Sequence, residues 1–596
     1  MSSERRPYNE DVSHLKYNGF FSEKTKISVY EAVGGMLLEK GLIYGNAGPY
    51  STRTMDQLPG EYRIVKIFFR FFSSRALALA VALSLPIGCG DFSSVRDRHT
   101  LYIHLGSEPG HLNPITSTEA VASSINQHIY ETLLDRDYDT AELVPQLAES
   151  WSISPDRLRY RFRLKKGVFW SDGVELTADD IIYSFRTIKD PKVACAPLKV
   201  YYIDVREVRK IDRYTVEFLY SKQYFRALEI CGTIPIVPEH IFADGTDFNT
   251  HKNNRFPVGT GPYRFERWDT GKRIVLVRND SYKGKAPDLH RIVYRIVAEP
   301  NIALQMVKKG EMDMMSVRAI QWVRQTNSDR FVKNFYKLQY YLPTYNYIGW
   351  NAARPLFADR RVRLAMTHLI NRDAILDKLL FGIGEVVSGS SYIYSKGYDK
   401  SIKPWPYDPE RARELLARAG WRDTDGDGIL DRAGKKFAFT FTIPSGSKFA
   451  ERLGTIMKED LSKVGIEMDI NRYEWAVFVQ KLHQRDFDAV TLAWSLSWED
   501  DPYQLWHSTQ VEGGSNFCSF KNAEADDLII RLRKEFDEKK RIRMYHRFHR
   551  ILHEEQPYTF LYCTPAQVVV SKRFSDVKVH LRGLNYLEWK VAAIDD

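Results

Sequence analysis

Short runs with an apolar residue at every second position recur along this chain: TLYIHL at 100–105, YRFRL at 160–164, TVEFLY at 215–220 and RIVLVRN at 273–279. A period of two places the apolar side chains of a strand on one face, so each run predicts a half-buried β-strand. Helical patterns with their own start and stop signals lie between them. Thr177 and Asp180 form a capping box ahead of a helix over 181–188, and Asp408-Pro409-Glu410 starts the helix ARELLARAG, which Gly420 ends. Strands and helices alternating irregularly over 596 residues predict a mixed α/β protein of more than one lobe, not a bundle or a sandwich.

Charge excludes little except nucleic acid. The net charge of +10 arises from 86 basic and 76 acidic residues without a clustered basic run, and phosphate binding needs a cluster. Residues 63–89, RIVKIFFRFFSSRALALAVALSLPIGC, are more informative. Four basic residues lead into the apolar run 76–87, which is too short for a stable span and fits an export signal. Gly88-Cys89 and the polar residues after it resemble a bacterial lipoprotein signal with Cys89 as the acylated residue, although Pro86-Ile87 stands where such signals carry Leu and a small residue. An ordinary cleaved signal is the alternative. Met55 sits well placed before this segment, so translation is expected to start there, with 1–54 an untranslated or unfolded leader and 55–89 the signal.

Chemistry-bearing motifs are few. No Gly-rich phosphate loop, H-E-x-x-H or G-x-S-x-G is present, so neither catalysis nor a cofactor is predicted. Asp423, Asp425, Asp427 and Asp431 have the spacing of the first part of a calcium loop, but Gly434 stands at the position of the bidentate Glu. They are weak metal candidates beside a plain acidic turn. His546, His549 and His553 share one helix face, where a solvated polar face is the simpler reading. Gly259, Gly261 and Pro262 predict a tight turn into the strand that follows, with the glycines tolerating positive φ.

The stretch LVPQLAESWSISPDRLRYRFRLKKGVFWSDGVELTADDIIYSFRTIKDP at 143–191 resembles the extracellular solute-binding proteins of family 5, the oligopeptide-, dipeptide- and nickel-binding lipoproteins of ABC importers. Further motifs follow in that family's order: LNP at 112–114, VGTGPYRFERW at 258–268, VKKGEMDM at 307–314, FADRRVRLAMTHLINRDAI at 357–375, DFDAVTLAWSLSWEDDP at 486–502 and QPYTFLY at 556–562.

The resemblance implies an α/β, two-lobed periplasmic-binding-protein fold of type II with an extra subdomain, closing by hinge bending. Lobe I would comprise 99–134, 238–342 and 560–596, with a subdomain at 135–237 inserted in it, and lobe II would run from 343 to 559. It implies ligand contact at Thr116, Ser117, Thr118, Glu119, Ala120 and Val121, and at Trp494, Ser497, Trp498 and Glu499. Trp494 reads as a cleft wall, with core packing the alternative. The peptide binders carry an Asp where this chain has Ser497; Glu499, Asp500 and Asp501 follow closely and are candidates to replace that charge, although Asp501-Pro502 matches a scaffold feature of the family. The preferred pairings of the remaining cysteines, Cys195 with Cys231 and Cys518 with Cys563, each fall within one lobe, with free buried thiols the alternative.

The function implied is an exported, periplasmic, lipid-anchored monomer that captures a small organic solute, foremost an oligopeptide, for an ABC permease. A ligand sensor of the same fold, a binder of a sugar-like, opine-like or metal-complex solute, and a secreted hydrolase are the alternatives.

Overall fold

The computed structural model describes residues 97–592; the expectations for the leader, for a start at Met55 and for Cys89 lie outside them. Each alternating run forms a strand. Arg159–Leu164 strictly alternates exposed and buried residues, and Thr100–Leu105, Thr215–Tyr220 and Arg273–Arg278 occupy the other predicted places.

The described residues form three principal sheets, and these strands enter two of them. A seven-stranded mixed sheet has the order Phe335–Tyr340, Ala566–Ser571, Met314–Ser316, Thr100–Leu105, Arg291–Ile296, Arg273–Arg278, Tyr263–Asp269. Thr100–Leu105 lies parallel to both its neighbours in the middle of it. Its core joins Leu101, Ile103 and Leu105 to Ile125 and Ile129 of the helix Ala120–Ile129. A four-stranded antiparallel sheet, Ala148–Ile153, Arg159–Leu164, Thr215–Tyr220, Val205–Asp212, is covered by Ala178–Lys189. That helix starts with the predicted box: Asp180 accepts from the Thr177 amide at 2.8 Å and the Thr177 hydroxyl accepts from the Asp179 amide at 3.3 Å.

The third sheet has five strands in the order Glu467–Tyr473, Ala438–Pro444, Ala489–Ser495, Thr344–Trp350, Tyr558–Phe560. Thr344–Trp350 sends Tyr345 and Tyr347 into one core and Ile348 and Trp350 into another, so this sheet is buried on both faces. The chain passes from the first sheet to the third between Tyr340 and Thr344 and returns between Phe560 and Ala566.

Three expectations are corrected. Gly259 and Gly261 are absent from the positive-φ residues. They are required instead by close backbone approach: a Cβ on Gly259 would stand 1.9 Å from the Ile129 carbonyl oxygen, and one on Gly261 2.7 Å from that of His128. The Gly261 amide donates to Ile129 at 2.8 Å, so the turn is clamped onto the end of the helix Ala120–Ile129.

The four described cysteines are all free and buried. Three of the thiols lie against acceptors of their own, Cys195 on the Ile188 carbonyl, Cys231 on the Tyr220 hydroxyl and Cys563 on the Leu342 carbonyl. Burial raises all four thiols, that of Cys563 to about 11. They are poor nucleophiles at neutral pH. A reductant is therefore expected to leave the thermal midpoint of the protein unchanged; a fall on adding dithiothreitol would contradict the free-thiol state.

The third correction concerns the histidines, which do not form a solvated face. His549 is buried, its ring bonded to the Ser388 hydroxyl at 3.0 Å and to the Asp399 amide at 3.2 Å, and His553 stacks on Trp405 at 4.6 Å. Burial lowers both imidazoles to about 4, so both are neutral and fasten the segment 388–405 to the long helix Glu538–Glu555.

Candidate functional site

The strand Ala489–Ser495 runs out into a loop carrying Ser497, Trp498, Glu499, Asp500 and Asp501. Facing this loop is the short helix Ala227–Gly232 with the residues just before it. Several bonds join the two. The Arg226 guanidinium donates to the Ser497 hydroxyl at 2.8 Å, Tyr224 donates to Asp501 at 2.9 Å, and the Phe225 amide donates to the Arg533 carbonyl at 2.9 Å. Arg533 in turn donates to Asp501 at 3.0 Å.

Two chambers open along this seam. One of about 460 Å³ is bounded by Arg136, Tyr392, Lys396, Trp498, Arg541 and Tyr545. The other, about 300 Å³, is bounded by Tyr201, Tyr224, Arg226, Trp494, Tyr503 and Arg533. Ser497 and Asp500 line both, so the chambers form one trench with these two residues at its waist. Trp494 is half-buried in a ring stack with Tyr347 and Phe517 and also lines the second chamber. Trp498 meets Tyr392 edge-on at 5.7 Å.

Most charges in the trench are spent on one another. Arg541 pairs with Glu499, Lys396 with Glu538 at 2.7 Å, Arg136 with Glu229 at 2.7 Å, and Arg226 with Glu229 at 2.8 Å. Among the described residues Asp500 makes no ion pair, although Arg226 lies near enough to act on it. Burial dominates and pushes its carboxyl up to about 7; Arg226 draws it down and Asp501 pushes it further up. A carboxyl in this state is poised to ionise when a cation arrives.

The other predicted residues lie elsewhere. Residues 116–121 line neither chamber; 116–119 lead into the helix Ala120–Ile129, which Ala120 and Val121 begin, and the Glu119 carboxylate folds back to accept from the Gly110 amide at 3.0 Å. In the acidic turn, carboxylate oxygens of Asp423, Asp425 and Asp431 lie within 4.8 Å of one another, while Asp427 is paired with Lys436. Asp423 accepts from the amides of Gly426 and Gly428, and Asp431 from Thr424, so the loop's own donors account for these carboxylates. Sequence reading missed Tyr224, Arg226 and Arg541 because they come from segments far from 494–501 and carry no local motif; only the fold brings them there.

The sequence profile of the bacterial extracellular solute-binding proteins, family 5, matches residues 142–516. The oligopeptide-binding protein AppA of Bacillus subtilis is 33% identical over 488 residues, covering 79% of this chain and 88% of that protein. This chain belongs to family 5 of the bacterial extracellular solute-binding proteins. The family 5 chain is also 26% identical over 511 residues to the dipeptide-binding protein of Escherichia coli, covering 78% and 89% of the two. The solved structure of Bacillus subtilis AppA in complex with a nonapeptide matches with a TM-score of 0.72 at 31% identity, over 83% of this chain and 99% of that one. The fold is accordingly the two-lobed, mixed α/β fold of this family, and no described helix is long and apolar enough to cross a membrane.

Proposed function

We propose that this protein is the exported substrate-binding component of an ABC importer and that its ligand is an oligopeptide with a free amino terminus. Lobe I is assigned to 99–134, 238–342 and 560–596 with the insert 135–237, and lobe II to 343–559. Cys89 is assigned as the lipid anchor of a monomer. The observation that carries the ligand reading is Asp500, a carboxylate at the waist of the trench that is matched by no ion pair. The family's usual carboxylate position is Ser497, a neutral hydroxyl that already accepts from Arg226, so it offers an ammonium no countercharge. Three residues on, Asp500 supplies one. Ligand contact is assigned to Trp494, Ser497, Trp498 and Asp500, and residues 116–121 to the start of the helix Ala120–Ile129.

This reading fixes a pH profile. A peptide ammonium pairs with ionised Asp500, so binding is linked to loss of its proton. The groups acting on that carboxyl are Asp501 beside it, Arg226 and Glu229 across the trench, Tyr201, and Tyr545, whose hydroxyl donates to the Asp500 carbonyl. Below the unliganded value of about 7, affinity falls by up to about tenfold per pH unit. Above about 8 the free amino group itself discharges, so affinity peaks between the two. Calorimetric titration of pentaalanine from pH 5.5 to 9 checks this; affinity constant or rising below pH 7 contradicts the role of Asp500.

A further inference from the structure

Residues 496–501, which carry Asp500, form neither helix nor strand. Both ends of this loop are fixed. The Leu496 amide donates to the Pro343 carbonyl at 2.7 Å, and Asp501 accepts from Tyr224, from Arg533 and, at 3.1 Å, from the Tyr503 amide. Between those ends no main-chain bond joins 497–500 to another described main-chain group, so side chains decide where Asp500 stands.

Two of those side chains come from one face of the helix Glu538–Glu555, where Arg541 and Tyr545 lie one turn apart. Arg541 pairs with Glu499, whose side chain is 41% exposed, and contact with water weakens such a pair. The Tyr545 hydroxyl donates to the Asp500 carbonyl. Tyr545 is buried, and its ring lies against Gly397, where a Cβ would stand 3.2 Å from Cγ of the tyrosine. A further turn on, the bonds of His549 to Ser388 and Asp399 hold the helix to the segment that contains Gly397. The tyrosine ring is thus a strut of fixed length between an anchored helix and a loop with no main-chain bonds of its own.

We infer that Tyr545 is the positioning residue for Asp500: its hydroxyl sets the distance between helix and loop, and so decides whether the Asp500 carboxylate meets the ammonium of the bound peptide. The inference rests on the peptide reading above. It adds that recognition of the amine depends on a group that carries no charge at neutral pH and need not touch the ligand amine. A carbonyl stripped of its only donor moves toward another donor or toward water, and the carboxylate of the same residue moves with it.

The test is calorimetric titration of the purified protein and of Tyr545→Phe with pentaalanine and with N-acetylpentaalanine, beside urea unfolding of each protein. The ratio of the two affinities reports pairing with the amine, which a general loosening of the trench would not change. Tyr545→Phe keeps the ring and is expected to weaken pentaalanine about fivefold or more while changing the acetylated peptide by less than about twofold. Tyr398→Phe is the control. It removes another bonded hydroxyl, the one that meets Ser388 at 2.8 Å, from the segment packed on the same helix, and should leave the ratio within about twofold whatever it does to the urea midpoint. Equal losses for both peptides in Tyr545→Phe, no loss for either, a protein that no longer folds, or an equal fall of the ratio in Tyr398→Phe overturns the inference and leaves the peptide reading standing. Equal affinity of the unsubstituted protein for the two peptides, or no binding of either, overturns the free-amine reading and the inference with it.

Discussion

Asp500→Asn is expected to weaken binding of a free-amine pentapeptide about thirtyfold or more, because truncating one partner of a buried charged pair typically costs about 2–5 kcal/mol. The substitution keeps the shape of the side chain and removes only its charge. The same variant should bind the N-acetylated peptide about as well as the unaltered protein does, since that ligand carries no ammonium. Glu499→Gln is the control. Glu499 is already paired with Arg541, so its loss disturbs the wall of the first chamber without removing the charge that meets the ligand. A Glu499 effect larger than the Asp500 effect, or equal losses for acetylated and free peptides in Asp500→Asn, would move the amine site away from Asp500.

The second large effect is on folding. Gly259→Ala places a Cβ 1.9 Å from the Ile129 carbonyl oxygen and 2.6 Å from its carbon, and both obstructing atoms are backbone. No side-chain rotation relieves this, and the helix Ala120–Ile129 that holds Ile129 is locked into the core of the seven-stranded sheet. The turn and the helix end must separate, which also breaks the bond from the Gly261 amide to Ile129. The expected cost exceeds about 4 kcal/mol, seen as loss of soluble folded protein or a large shift of the urea midpoint. Gly173→Ala provides the contrast. That glycine has φ +94° and open space around it, so alanine there incurs only backbone strain of about 1–2 kcal/mol. Comparable losses at the two positions would refute close approach as the reason for Gly259.

Local features of this fold are legible because their causes are local. The alternation in YRFRL and the box at Thr177–Asp180 depend on residues within a few positions of one another, and each appears in the structure where the pattern places it. Gly259 shows where that logic stops. The sequence signals a glycine turn, but whether glycine serves dihedral freedom or close packing depends on the helix end that arrives from 130 positions earlier in the chain.

The trench is half legible for the same reason. Trp494, Ser497, Trp498 and Glu499 follow from one contiguous motif, and all four lie on its walls. Arg226 does not, because its approach to Ser497 spans 271 residues, and it is this approach that decides which carboxylate is left for a ligand. Helical spacing shows that the histidines of the helix Glu538–Glu555 share a face but not what covers it, and it is the segment 388–405 that covers His549 and His553.

The central claim, that this is a peptide receptor, is tested most directly by native mass spectrometry of the protein purified from cells grown in rich medium, followed by release and sequencing of whatever remains bound. The account predicts a ladder of short peptide masses with free amino termini. A single non-peptide mass, or an empty protein that also ignores added peptide pools, would contradict it.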